Sequence, residues 1–397
     1  MRRLAAFTLS LLFLSAIGPS AQTNLPAIEK QVEQLRGLRF QRAVEAQLVD
    51  TAGLQKVLQS EISREYQESE WPKMENTLKV FGLIPPKMDL KRVMTSLLEE
   101  QVAGLYDPRS KRLYVNAHPI EGEELLGDLG LQDLKLQDVF ITHELDHALT
   151  DQYFKLLSLP IEDKENEDRA SAARCVVEGD ATWVMLRYMY QVLKVPPEQQ
   201  EQMGNLMATM GLGKELMGES VPEYIQENLL MSYLAGLALV KSAYDRSGFD
   251  GVNALYAKPP ASMELVLHPE KYFAGKDPPV KVEAAAPKGW GQAGWNEYTR
   301  GVWGELNARI ILQEWGCDEP TAERAAEGWG GDTYIVLKGP AASFGFLWST
   351  QWDTDKDAAE FFTAAQRAKG VKVSREGLRV TLTKGGPPPA EPAKEKP

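Results

Sequence analysis

The segment His143-Glu144-Leu145-Asp146-His147 constrains this chain more than any other stretch. On an α-helix, residues four apart share a face about one turn apart, so both imidazoles can reach one metal ion, with Glu144 beside a water at that ion. The chain has four histidines, and this segment holds two of them. Val139-Phe140-Ile141 before it and Ala148-Leu149 after it frame the motif with apolar residues. That frame suits a half-buried helix, in which histidines need partners and a shared metal supplies one. The competing reading is a surface helix carrying two solvated histidines.

A zinc site open to water takes three protein ligands. Glu178 is the candidate third ligand, on a run from Asp168 to about Leu193 that reads as a helix. It falls in the least polar part of that run, where a carboxylate needs a positive partner. Zinc is one such partner, and Arg174, one turn earlier, is another. Gly179 would let a neighbouring helix approach closely. Asp180 is the candidate acceptor for the free N–H of a ligand histidine, with a helix-surface carboxylate as the alternative. Asp151, four residues beyond His147, either supports the site from behind or closes the helix.

The run His143 to Asp151 resembles the active-site helix of the gluzincin metallopeptidases, of which thermolysin is the familiar member. The remainder is not thermolysin-like. It resembles a group of secreted bacterial HExxH proteins through Val102-Ala103-Gly104-Leu105-Tyr106-Asp107-Pro108, Glu178-Gly179-Asp180-Ala181, Leu267-His268-Pro269-Glu270-Lys271-Tyr272 and Gly328-Trp329-Gly330-Gly331-Asp332. Asp146 departs from the gluzincin pattern, where threonine is usual, and is expected to face away from the ligand pair. The resemblance implies a peptidase-like, mainly helical α+β fold. It also implies Zn2+ as cofactor, with Glu144 as the general base. An oxyanion donor would come from beyond the third-ligand helix. His268 suits that role as a titratable side chain held between Leu267 and Pro269; by resemblance alone, Tyr233 and Tyr272 are also candidates. The alternative for His268 is a structural histidine that locks its proline-containing loop.

The formal net charge of −12 comes without a basic stripe, which argues against nucleic acid and anionic membrane surfaces as partners. A basic start, an apolar stretch from Leu4 to Ile17 and small residues near Ala21 read as an export signal over residues 1–21. A periplasmic or extracellular protein without stable membrane insertion is expected, acting on a peptide or protein substrate. Cys175 and Cys317 are expected as two separate buried thiols, a bridge between them being the alternative.

Residues 22–95 read as a helical region and 96–273 as the catalytic domain. Within the latter, 104–115 reads as a hairpin, 196–222 as a Met- and Gly-rich stretch, and 223–244 as a long helix. Met203, Met207, Met210 and Met217 are expected as core packing, and His118 as a surface histidine. The Pro, Ala, Gly and Lys content of 274–295 suggests a linker. Residues 296–384 read as a small α+β module that starts with a helix from Glu297 to Glu314, and 385–397 as a disordered tail. The sequence therefore points to a secreted zinc metallopeptidase. A non-catalytic exported binding protein on the same scaffold and a zinc hydrolase of another bond are the alternatives.

Overall fold

The computed structural model describes residues 24–99, 104–117, 133–200, 202 and 221–387. The expected export signal, His118, the four methionines named above and most of the C-terminal tail lie outside these residues. Among the described residues, no helix is long and apolar enough to cross a membrane.

The fold is α+β and mainly helical. It opens with α1 (Leu25–Arg36), which a left-handed Gly37 ends. Then follow β1 (Glu45–Val49), α2 (Thr51–Glu65), α3 (Trp71–Phe81) and α4 (Leu90–Glu99). The hairpin expected over 104–115 is present as β2 (Gly104–Asp107) and β3 (Arg112–Asn116). β1 interrupts the helical N-terminal region and pairs parallel with β3, giving the order β1-β3-β2. Its residues, Glu-Ala-Gln-Leu-Val, are mostly exposed, so no buried alternation marks it as a strand in the sequence.

Helix α5 (Leu136–Phe154) carries the histidine motif, and every residue from Val139 to Asp151 is buried. Helix α6 (Glu167–Val192) is nearly as enclosed and starts at Asn166, whose side chain accepts the Arg169 N–H. Helix α7 (Glu223–Ala257) runs well past the expected end at Tyr244, kinking at Ser247 and Gly248. Two short helices follow, α8 (Glu264–Leu267) and α9 (Pro269–Ala274). Helices α6 and α7 meet backbone to backbone. A Cβ on Gly179 would sit 2.2 Å from the Gly236 carbonyl oxygen, and one on Gly236 would sit 2.4 Å from that of Cys175. Glycine is needed at both positions, as the sequence suggested for Gly179.

The expected linker is not one. Val280 N–H donates to the Gly330 carbonyl at 2.7 Å, and Thr333 Oγ1 donates to the Val282 carbonyl at 2.7 Å. Trp290 and Trp295 pack with Ile335 and Leu337 in a small satellite core. The composition of 274–295 resembles a linker, but its few apolar side chains and its backbone are used against the sheet. The C-terminal part then forms β4 (Asn296–Gly301), α10 (Gly304–Glu314), α11 (Glu319–Ala326), β5 (Trp329–Lys338), β6 (Phe344–Trp352), α12 (Asp355–Ala365), β7 (Lys372–Glu376) and β8 (Arg379–Lys384). The sheet order is β4-β5-β6-β8-β7, antiparallel throughout. The start of the expected 297–314 helix is thus a strand, stopped before Gly304 at φ +75°.

Gly328 to Asp332 is turn and strand, with Asp332 at its centre. The buried carboxylate accepts N–H groups from Trp303, Gly304, Trp329 and Trp348. The module shares one core with the N-terminal helices. Phe81 stacks on Phe346 with ring centroids 4.0 Å apart, and Trp315 Nε1 donates to the Phe81 carbonyl at 2.9 Å. Cys175 and Cys317 are free, buried thiols.

Candidate metal centre

Helices α5 and α6 pack against each other and bring His143, His147 and Glu178 to one point. His143 Nε2 lies 3.0 Å from His147 Nε2 and 3.2 Å from Glu178 Oε2, which is 3.7 Å from His147 Nε2. A tetrahedral zinc with bonds near 2.1 Å would hold its ligand atoms about 3.4 Å apart. The three observed separations bracket that value, and the donor set of two nitrogens and one carboxylate oxygen suits zinc. All three side chains are buried.

The local electrostatics favour positive charge at this point. Burial works against the charged form of His147, but Glu178, Glu144 and Asp146 lift its pKa to about 9. Burial would raise Glu178, but His147 and His143 press it down to about 2. Arg174, the alternative partner for Glu178, is committed elsewhere, to Glu167, Ser171 and the Ile161 carbonyl.

Glu144 is fully buried, and one of its carboxylate oxygens accepts the backbone N–H of Tyr106 at 2.7 Å. Tyr106 is on β2, an edge strand whose outer side faces α5. Its hydroxyl donates to Asp151 Oδ2 at 2.7 Å, and Lys111 Nζ reaches the same oxygen at 2.6 Å. Asp151 Oδ1 accepts the Leu156 N–H at 3.0 Å. Asp151 therefore closes α5 and ties down the hairpin that holds Glu144.

Asp180 does not take the role expected of it. Its Oδ2 accepts Arg36 Nε at 2.9 Å and the Tyr256 hydroxyl at 3.0 Å. Arg36 comes from α1, is completely buried, and also reaches Asn253 Oδ1 at 2.8 Å. A buried guanidinium needs a carboxylate, and Asp180 supplies it. Asp146 is buried beside this group, and burial, then Asp180, push its carboxyl well above the usual range. Among the described residues, His147 Nδ1 and both Asp146 oxygens have no hydrogen-bond partner.

Tyr233 on α7 stands next to the triad, with its ring centroid 6.1 Å from that of His143. His268 does not join it. Its Nε2 lies 2.9 Å from Glu305 Oε1 on α10, at the seam with the C-terminal sheet. Glu305 faces Asp168 there, ten residues and about 15 Å along α6 from Glu178. Tyr272 donates to the Lys258 carbonyl at 2.6 Å. Arg36, Asn253 and Tyr256 were not legible in the sequence, since nothing in their neighbourhoods marks them out.

Comparison with other proteins adds little to this geometry. Residues 292–386 match a domain of unknown function, DUF8575. The match covers the whole C-terminal module and none of the candidate metal centre. No curated protein matches the chain. Among solved structures, a protein from Chloroflexus aurantiacus described as a "putative hydrolase with a novel fold" is similar, with 16% identity over 63% of this chain and 87% of that one. The TM-score is 0.40, too low to assign a fold or an activity.

Proposed function

We propose that this protein is an exported, zinc-dependent metallopeptidase with His143, His147 and Glu178 as its metal ligands. One observation carries the reading: three buried donors of the right chemistry converge at zinc-like spacing, with Glu144 held one residue away on the same helix. Zinc bound there would supply Lewis acidity to a water and to the scissile carbonyl. Glu144 would accept a proton from the attacking water and return it to the leaving amine nitrogen. Tyr106, through its backbone N–H, fixes the orientation of the Glu144 carboxylate. Tyr233 is the side chain best situated to donate a hydrogen bond to the oxyanion. Arg36, Asp180 and Tyr256 brace the helices from behind.

Elemental analysis of purified protein, coupled to cleavage of a mixed peptide library, tests the proposal. One zinc per chain and cleavage are expected. Glu178→Gln should lose zinc. Glu144→Gln should keep zinc and lose hydrolysis, because the geometry survives while the base is gone. Zinc bound with no cleavage of any peptide by the unaltered protein would favour a binding role on this scaffold. Cleavage by zinc-loaded Glu144→Gln would remove the assigned base.

A further inference from the structure

Helices α6 and α7 run in the same direction, touching at Gly179 and Gly236 and again where the Trp183 and Tyr244 ring centroids lie 5.5 Å apart. Along this second stretch they wall a cavity of about 1070 Å³. Small-molecule sites typically enclose about 300–1,000 Å³, so the space is large enough for a ligand. It is not the metal centre. Arg187, on its wall, is nine residues beyond Glu178, which puts it half a turn round the helix and about 13 Å along it.

The lining is apolar with a cationic side. Trp183, Tyr190, Leu234 and Leu237 supply the apolar surface. Arg187 is half-buried, its guanidinium carbon 5.0 Å from the Tyr244 ring centroid, 5.3 Å from that of Phe249 and 5.9 Å from that of Trp183. Among the described residues it donates one hydrogen bond, to the Tyr244 hydroxyl, while a guanidinium has five N–H donors. Lys194 lines the same cavity and is exposed. Among the described residues, no carboxylate pairs with Arg187 or Lys194. Lys241, also on the wall, is neutralised by Asp245 at 2.6 Å. Two cations beside an aromatic cavity with no carboxylate partner among the described residues are unexpected in a chain of net charge −12. An anion on Arg187 would satisfy donors that water otherwise serves.

We infer that this cavity binds a single-chain amphiphile, with its carboxylate head on Arg187 and Lys194 and its unbranched apolar tail between α6 and α7. Isothermal titration of the purified protein with dodecanoate below its micelle concentration tests this, with dodecanol and dodecyltrimethylammonium as head-group controls. Saturable binding of dodecanoate at one site per chain is expected, with the cationic analogue not binding. Arg187→Gln should weaken dodecanoate about tenfold or more and leave dodecanol unchanged. Lys194 is exposed, so Lys194→Gln keeps the test decisive if the arginine variant does not fold; it should weaken dodecanoate in the same selective way. Equal affinity for all three head groups, undiminished dodecanoate binding by Lys194→Gln, or no binding at all would overturn the inference.

Discussion

At the scale of single residues, the three members of the candidate metal site were readable because their chemistry leaves a mark. Two histidines four apart in an apolar frame, and a carboxylate in an apolar run, are costly without a shared partner. The oxyanion donor leaves no such mark. Histidine scarcity drew attention to His268, but a histidine beside Pro269 can equally be fixed by one carboxylate, and Glu305 is that carboxylate. Tyr233 is an ordinary apolar-face tyrosine in sequence, and only the packing of α7 sets it beside His143. Under the proposed mechanism, Tyr233→Phe should lower kcat by about 10²–10³-fold with little change in zinc content or KM. His268→Ala should leave kcat near its original value and show its effect in the melting temperature. Steady-state kinetics and thermal melts on both variants check the pair. The opposite pattern would return the role to His268.

At the scale of elements, the helices that precede the C-terminal module were legible from their periodicity, but the mostly exposed β1 was not. The buried faces of α5 and α6 were only partly legible. Both helices bury charged side chains among their apolar ones, Asp146 and Asp151 on α5 and Arg174 and Asp180 on α6. A hydrophobic pattern cannot show this, because the burial rests on hydrogen bonds from Arg36, Tyr256 and Tyr106. Gly179 was the exception, and it carries a sharp prediction. Gly179→Ala would drive a methyl group into the Gly236 carbonyl, so α6 must shift on α7. A loss of roughly 1–3 kcal/mol is expected, as for other overpacked sites. Because Glu178 is adjacent, zinc affinity should fall with it. Chemical denaturation and zinc titration would show whether the two losses occur together.

At the scale of the whole molecule, the sequence suggested a helical region, a catalytic domain and a module set apart by a linker, whereas in the structure the module joins the main core and residues of the expected linker pack on its sheet. Composition misleads here because a packed Pro- and Ala-rich segment and a free one look alike. The seam between the two halves concentrates buried acids. Glu264 is held up at about 8 from an ordinary 4.5, burial being the main cause and Lys271 opposing it. The folded protein therefore keeps this proton where the unfolded chain releases it. Stability from this group is full below about pH 4.5 and is lost as pH rises through about 8. Glu264→Gln should consequently gain in melting temperature relative to the unaltered protein between pH 5 and pH 8. A difference that does not change with pH would rule this out. Cutting the chain at residue 291 should leave a product without a cooperative melt, because Phe81 then loses Phe346 and Trp315. That same stacking has a consequence for biosynthesis. Phe81 and Phe346 are 265 residues apart in the chain, and at about 5–20 residues per second the second emerges roughly 13–53 s after the first. For that interval Phe81 lacks the ring that stacks on it in the folded protein, and Trp303, emerging 43 residues earlier than Phe346, can begin to cover it.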